Sequence, residues 1–165
     1  NDKNGNLLTS AADPEYIAPH CKKYEDYDRV MDAGASSKNI YFIRYADLIL
    51  LYAECLLAEN DLAGAKQQVI RVRNRAKVST PITASNNTEM LDFIYEERMR
   101  ELGMEGWRRM DLIRRGADYF AAQVDKYNPF AKGNVQPYHA FYPIPTNEIN
   151  MNDGIEAEDQ NEGYK

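Results

Sequence analysis

Residues 94–116, IYEERMRELGMEGWRRMDLIRRG, alternate arginines with carboxylates while keeping an apolar stripe. Glu97 precedes Arg100, Glu105 precedes Arg108 and Arg109, and Arg108 precedes Asp111, each by three or four positions. Residues at those separations share one face of a helix. Met99, Leu102, Trp107, Met110 and Ile113 supply apolar surface between the charges. Gly103 and Gly106 interrupt the pattern, which divides it into a helix ending near Leu102 or Met104 and a shorter one from Trp107 to about Arg115. Gly116 is the stop residue. Arginine and carboxylate so placed imply ion pairs that lock helices together through charge-assisted hydrogen bonds.

Upstream, the first of these helices begins at Thr88 as its cap, after a loop over residues 79–87 enforced by Pro81. Residues 42–59 form a more apolar helix. Ile43, Ala46, Leu50, Ala53 and Leu57 line one face, and Leu48, Leu51, Leu56 and Ala58 broaden it, which predicts burial over much of its girth. Asn60 and Asp61 supply a turn and cap. A second helix follows over residues 62–77, with Ala65, Val69 and Val72 inward and Lys66, Gln67, Arg71, Arg73 and Arg75 mostly outward. Two helices joined by so short a turn make an antiparallel hairpin. Asp47, three residues after Arg44, and Glu54 in the apolar run are expected to pair across to Arg71, Arg73 or Arg75. Residues 41–116 thus read as two stacked helical hairpins of roughly 34–40 residues each.

The flanks are less regular. Residues 1–40 form an irregular lead-in, and residues 117–165 a loop-rich C-terminal segment. Residues 117–140 are either a short helix plus a long loop or a loop tucked against the helices. In the FYPIP run, residues 141–145, each proline pushes its predecessor out of the α region, so the segment is extended. A chain of 165 residues suits one domain burying roughly two thirds of its surface. The fold class expected is all-α, helical hairpins with long irregular loops.

Composition closes off several functions. A net charge of -6 disfavours nucleic acid as a partner, because tracking phosphates needs a basic patch. The arginines of residues 98–115 are internally neutralised by Glu101, Glu105 and Asp111. His20 and His139 have no metal-ligand spacing, and the acidic run over residues 150–159 matches no calcium loop. No metal or cofactor is therefore expected. Glu97 and Glu101 are the candidates for a glycosidase pair, but an arginine near each carboxylate holds it ionised, where a general acid needs the opposite environment. No catalytic residue is assigned. Cys21 and Cys55 either form one bridge or leave Cys55 as a small buried residue in a helix. The absence of an 18-residue apolar run rules out a transmembrane helix. The polar opening at Asn1 reads as the interior of a longer product.

Four elements occur in order: YFIRYADLILLYAECLLAENDLAGAKQQVIRVRNRA, EERMRELGMEGWRRMDLIRRG, FYPIP followed by Glu148, and the closing QNEGY. Together they resemble the C-terminal part of the SusD/RagB family of bacterial outer-membrane nutrient-binding lipoproteins, over about residues 41–165. The resemblance implies a tetratricopeptide-like helical scaffold and no catalysis. It implies an outward-facing place at the cell outer membrane through a lipid anchor absent from this chain. The expected partners are an oligosaccharide or polysaccharide and a SusC-like TonB-dependent transporter; capture of peptides and a helical protein-interaction module are the alternatives. The family's helical signature corresponds here to Glu97, Arg98, Glu101, Glu105, Gly106, Arg108 and Asp111.

Ligand contacts are sought among aromatic side chains in loop-like sequence. Sugar rings stack on flat aromatic faces while their hydroxyls take amide and carboxylate partners. Tyr24, Tyr27, Tyr119, Tyr127, Asn128 and Tyr138 meet that description.

Overall fold

The computed structural model describes residues 22–24, 36 and 38–165, and every regular element among them is helical. Two compact units divide the chain, Asn1–Phe42 and Ile43–Lys165. The element described in the first is a 3₁₀ turn at Lys22–Tyr24. Cys21 and Tyr27 lie outside the described residues.

In the second unit, α1 spans Tyr45–Ala58 and α2 spans Leu62–Arg75. The turn between them is built by Asn60 in the left-handed region, φ 61°, which asparagine tolerates better than most residues. Asp61 N–H then reaches back to the Leu56 carbonyl at 2.8 Å. The Asp61 side chain accepts from Gly64 N–H at 2.8 Å and caps α2. Helix α3, Asn87–Glu101, starts one residue earlier than Thr88: the cap is Asn86, whose side chain accepts from Glu89 N–H at 3.0 Å. Asn87 donates to the Leu57 carbonyl and to Asn60, fastening α3 to the α1–α2 turn.

Ile49, Leu50, Ala53 and Leu57 of α1, Ala65, Val69 and Val72 of α2, and Met90 and Ile94 of α3 form one apolar cluster. Fully burying each large aliphatic side chain contributes about 1.5–3 kcal/mol. The expected burial around most of α1 is not found. Tyr45, Leu48, Tyr52 and Cys55 recur at helical spacing on an exposed stripe, and Ile43 ahead of it is exposed too. Helices α2 and α3 both pack on α1, and its buried residues face them. An all-round apolar helix signals burial without naming which sides acquire neighbours. Cys55 is a free, exposed thiol, not a small core residue.

Helix α4, Arg108–Arg114, follows the break at Gly103 to Gly106, where Met104 and Gly106 take positive φ. Residues 117–140 contain the helix alternative: α5 runs Ala117–Tyr127, followed by a loop and a 3₁₀ turn at Pro137–Ala140. Leu112, Phe120 and Ala140 form a second apolar cluster, with Ile113, Tyr119, Val124 and Val135 against it. Phe141 and Pro145 are extended, and α6 spans Thr146–Met151. The chain's last residues clip this extended segment. Gln160 both accepts from Ile144 N–H at 2.7 Å and donates to its carbonyl at 3.0 Å, as a neighbouring strand would. Asn161 donates to the Tyr142 carbonyl, and Tyr164 to that of Phe141. No helix among the described residues is long and apolar enough to cross a membrane.

Candidate functional site

The charged residues of α1, α3 and α4 converge on Arg98, which is 2% exposed. Its Nε and Nη2 fork onto both oxygens of Asp111, each at 2.9 Å. Its Nη1 lies 2.8 Å from Asp47 Oδ1; this is a charge contact without hydrogen-bond alignment, and Asp47 Oδ1 has no aligned donor. Burial opposes the Arg98 charge, but Asp111 and Asp47 outweigh it and hold the guanidinium above its ordinary pKa. Arg114 extends the cluster, gripping both oxygens of Glu54 at 3.0 and 3.1 Å and Asp111 at 3.2 Å. Glu54 also accepts from the Tyr95 hydroxyl at 3.3 Å.

Arg44 makes a second fork, onto Glu105 at 2.8 and 2.9 Å, and adds Glu101 at 2.9 Å. Hydrogen bonding from Glu105 leads the causes that raise its pKa. Arg73, expected outward, is buried and meets Glu97 at 2.9 Å, while Arg75 takes Glu101. The partners therefore differ from the expected ones: Asp47 and Glu54 meet Arg98 and Arg114 and not the arginines of α2, while Arg44 takes Glu101 and Glu105. Arg108 donates to the Tyr95 carbonyl at 3.2 Å in place of Glu105 or Asp111.

The candidate ligand residues fall in separate places. Tyr24 belongs to the first unit and is partly buried. Tyr119 packs edge-on against Tyr95 with the Arg115 guanidinium 4.0 Å from its ring centre. Tyr127 is exposed and donates to Glu96 at 3.3 Å, so both α5 tyrosines meet the same turn of α3. Asn128 ends α5 and accepts from Phe130 N–H at 3.1 Å, which ties its side chain into the following turn. Tyr138 packs tilted against His139, ring centres 4.1 Å apart, and meets Tyr164 edge-on at 5.2 Å.

A further arrangement involves residues that the sequence did not mark for binding. Arg109 lies between two rings, 5.1 Å from the centre of buried Phe120 and 4.1 Å from that of Tyr142. Its Nη2 donates to the His139 and Ala140 carbonyls at 3.1 and 2.9 Å. Tyr142 is 70% exposed, yet its backbone is pinned by Asn161 and by the following Pro143. The FYPIP run announced its extended backbone but carried no sign of which ring would face solvent. Beside Arg109, a cavity of about 120 Å³ is walled by Arg98, Arg108, Arg109, Asp111 and the Gly103 to Gly106 turn. No three histidine, cysteine or carboxylate side chains are grouped to hold a metal ion among the described residues.

Comparison with known proteins supplies the rest. The sequence model described as the SusD family matches residues 2–164. SusD-like protein P25 of Formosa agariphila is 34% identical over 134 residues, covering 78% of this chain and 25% of that protein. The starch-binding protein SusD of Bacteroides thetaiotaomicron is 32% identical over 142 residues, 82% of this chain and 23% of that one. The chain thus spans about a quarter of the length of the curated relatives it matches. No solved structure matches.

Proposed function

The chain belongs to the SusD family, and from that membership we propose that it is part of an extracellular glycan-capture protein. Oligosaccharide or polysaccharide is held at the outward face of the outer membrane and passed to a SusC-like TonB-dependent transporter. The observation that carries this reading is the 32% identity, over 82% of the chain, to a protein named for starch binding. Two features of the molecule support it. Asp111, Glu97 and Glu105 place their oxygens on guanidiniums, which favours structural locking over the unpaired, desolvated carboxyl that a glycosidase acid requires. Rings such as Tyr127 and Tyr142 stand exposed, the setting in which aromatic faces stack on sugars. Tyr24, Tyr27, Tyr119, Tyr127, Asn128 and Tyr138 are proposed as ligand contacts.

Calorimetric titration of the chain against plant, host and microbial oligosaccharides tests the proposal. Saturable binding to at least one glycan is the expected result. Binding of peptides with none of glycans would overturn it.

A further inference from the structure

Ten arginines are described, and seven of them lie within ion-pair distance of a carboxylate. Arg71, Arg108 and Arg109 have no carboxylate partner among the described residues. Two of the three, Arg108 and Arg109, are neighbours on one cavity wall. That wall also carries Arg98. Its one carboxylate among the described residues, Asp111, has both oxygens held by Arg98 and Arg114. The cavity wall therefore carries two arginines, Arg108 and Arg109, that no carboxylate among the described residues pairs. At about 120 Å³ the cavity holds several waters, and so the head of an anion, but not a whole sugar ring.

Arg109 connects this cavity to an aromatic platform. One face of Tyr142 lies on the Arg109 guanidinium, and 70% of the residue is open to solvent. The ring is presented by a backbone fixed through Asn161, Pro143 and the Gln160–Ile144 pair, so little freedom is lost when a ligand stacks on it. Guanidinium forks match the paired oxygens of a carboxylate or sulfate ester.

We propose that Tyr142, Arg109 and Arg108 form a subsite for acidic oligosaccharides. One pyranose stacks on the open face of Tyr142 while the carboxylate or sulfate of an adjoining sugar enters the cavity at the two arginines. The inference rests on the glycan-binding reading above and narrows its ligand to anionic glycans.

The test is calorimetry of the chain with four probes: a defined oligogalacturonate, its methyl ester, a sulfated galactan oligomer and neutral oligosaccharides. The acidic probes are expected to bind on the order of tenfold more tightly than neutral ones, and to weaken as salt rises. The two acidic probes distinguish carboxylate from sulfate as the preferred anion. Arg109→Gln and Arg108→Gln should reduce acidic affinity towards the neutral level, while Arg71→Gln, elsewhere on the surface, leaves it unchanged. Tyr142→Ala, at a residue 70% exposed, should weaken binding with little change in its thermal melt, which keeps the test decisive if Arg109→Gln folds poorly. Equal binding of acidic and neutral probes, or acidic affinity indifferent to Tyr142→Ala and Arg108→Gln, overturns the subsite and leaves glycan capture standing. Binding of no glycan at all overturns both.

Discussion

At the scale of single residues, Arg98 and Arg108 lie ten positions apart and do unlike work. Arg98 compensates two buried carboxylates, Asp47 and Asp111, whereas Arg108 makes one hydrogen bond to the Tyr95 carbonyl. Removing one partner of a buried ion pair costs about 3–5 kcal/mol because a charge is left unpaired away from water. Losing a single hydrogen bond costs about 1 kcal/mol. Arg98→Met should therefore lower the urea midpoint several times further than Arg108→Met; equal losses would contradict the geometry. Tyr95 offers a second handle. Burial, and then the charge of Glu54, push its phenol up from its ordinary value to about 12. A group whose proton is held more tightly when folded stabilises fully below the unfolded value and loses that contribution as pH rises through the folded one. Stability should fall between pH 10 and 12, and Tyr95→Phe should flatten part of that fall; Tyr119, whose pKa burial also raises, accounts for some of the remainder. A profile identical in Tyr95→Phe would count against the shift. The sequence marked the charged residues but misassigned their partners. Spacing reports which residues share a helix face, while Arg44 reaches Glu105 across 61 positions through packing that no local pattern contains.

Among the elements, helices were the legible part. Periodic apolar residues placed α1 to α4, and Asp61 was readable as a cap because aspartate at that position satisfies an otherwise unpaired N–H. Asp61→Ala should accordingly cost about 1 kcal/mol in urea denaturation. The exposed face of α1 was not legible, since Leu48 and Leu50 look alike in sequence and differ only in what lies opposite. Nor was the closure of FYPIP by the chain's end, where side-chain amides take the place of a partner strand. Gly163 makes that closure testable. It holds φ at 83°, and a Cβ there would run into the Tyr138 ring. Gly163→Ala adds backbone strain to that collision and should cost more than about 1 kcal/mol. The Tyr138 and Tyr164 ring resonances should shift with it. An alanine variant as stable as the parent, with those resonances unmoved, would show that the clip is not formed.

For the whole molecule, what matters is how two apolar clusters are made to act as one. Both consist of residues after Phe42, within the unit Ile43–Lys165. The first gathers α1, α2 and α3, and the second gathers α4, α5 and the Pro137–Ala140 turn. Helix α4 bridges them: Leu112 sits in the second cluster while Asp111 and Arg114 on the same helix grip Arg98 of α3 and Glu54 of α1. Opening either cluster would strip partners from buried charges in the other, which makes partial unfolding expensive. The unit Ile43–Lys165 produced alone should thus be helical and unfold in a single transition. Far-UV ellipticity, weighted towards α1 to α3, and the fluorescence of Trp107, at the start of α4, should trace the same urea midpoint. In Arg98→Met the bridge loses its central cation, and the two signals should then separate, with fluorescence changing first. Separate midpoints in the parent unit would mean that the clusters fold independently and that the ion-pair network fixes geometry without coupling them.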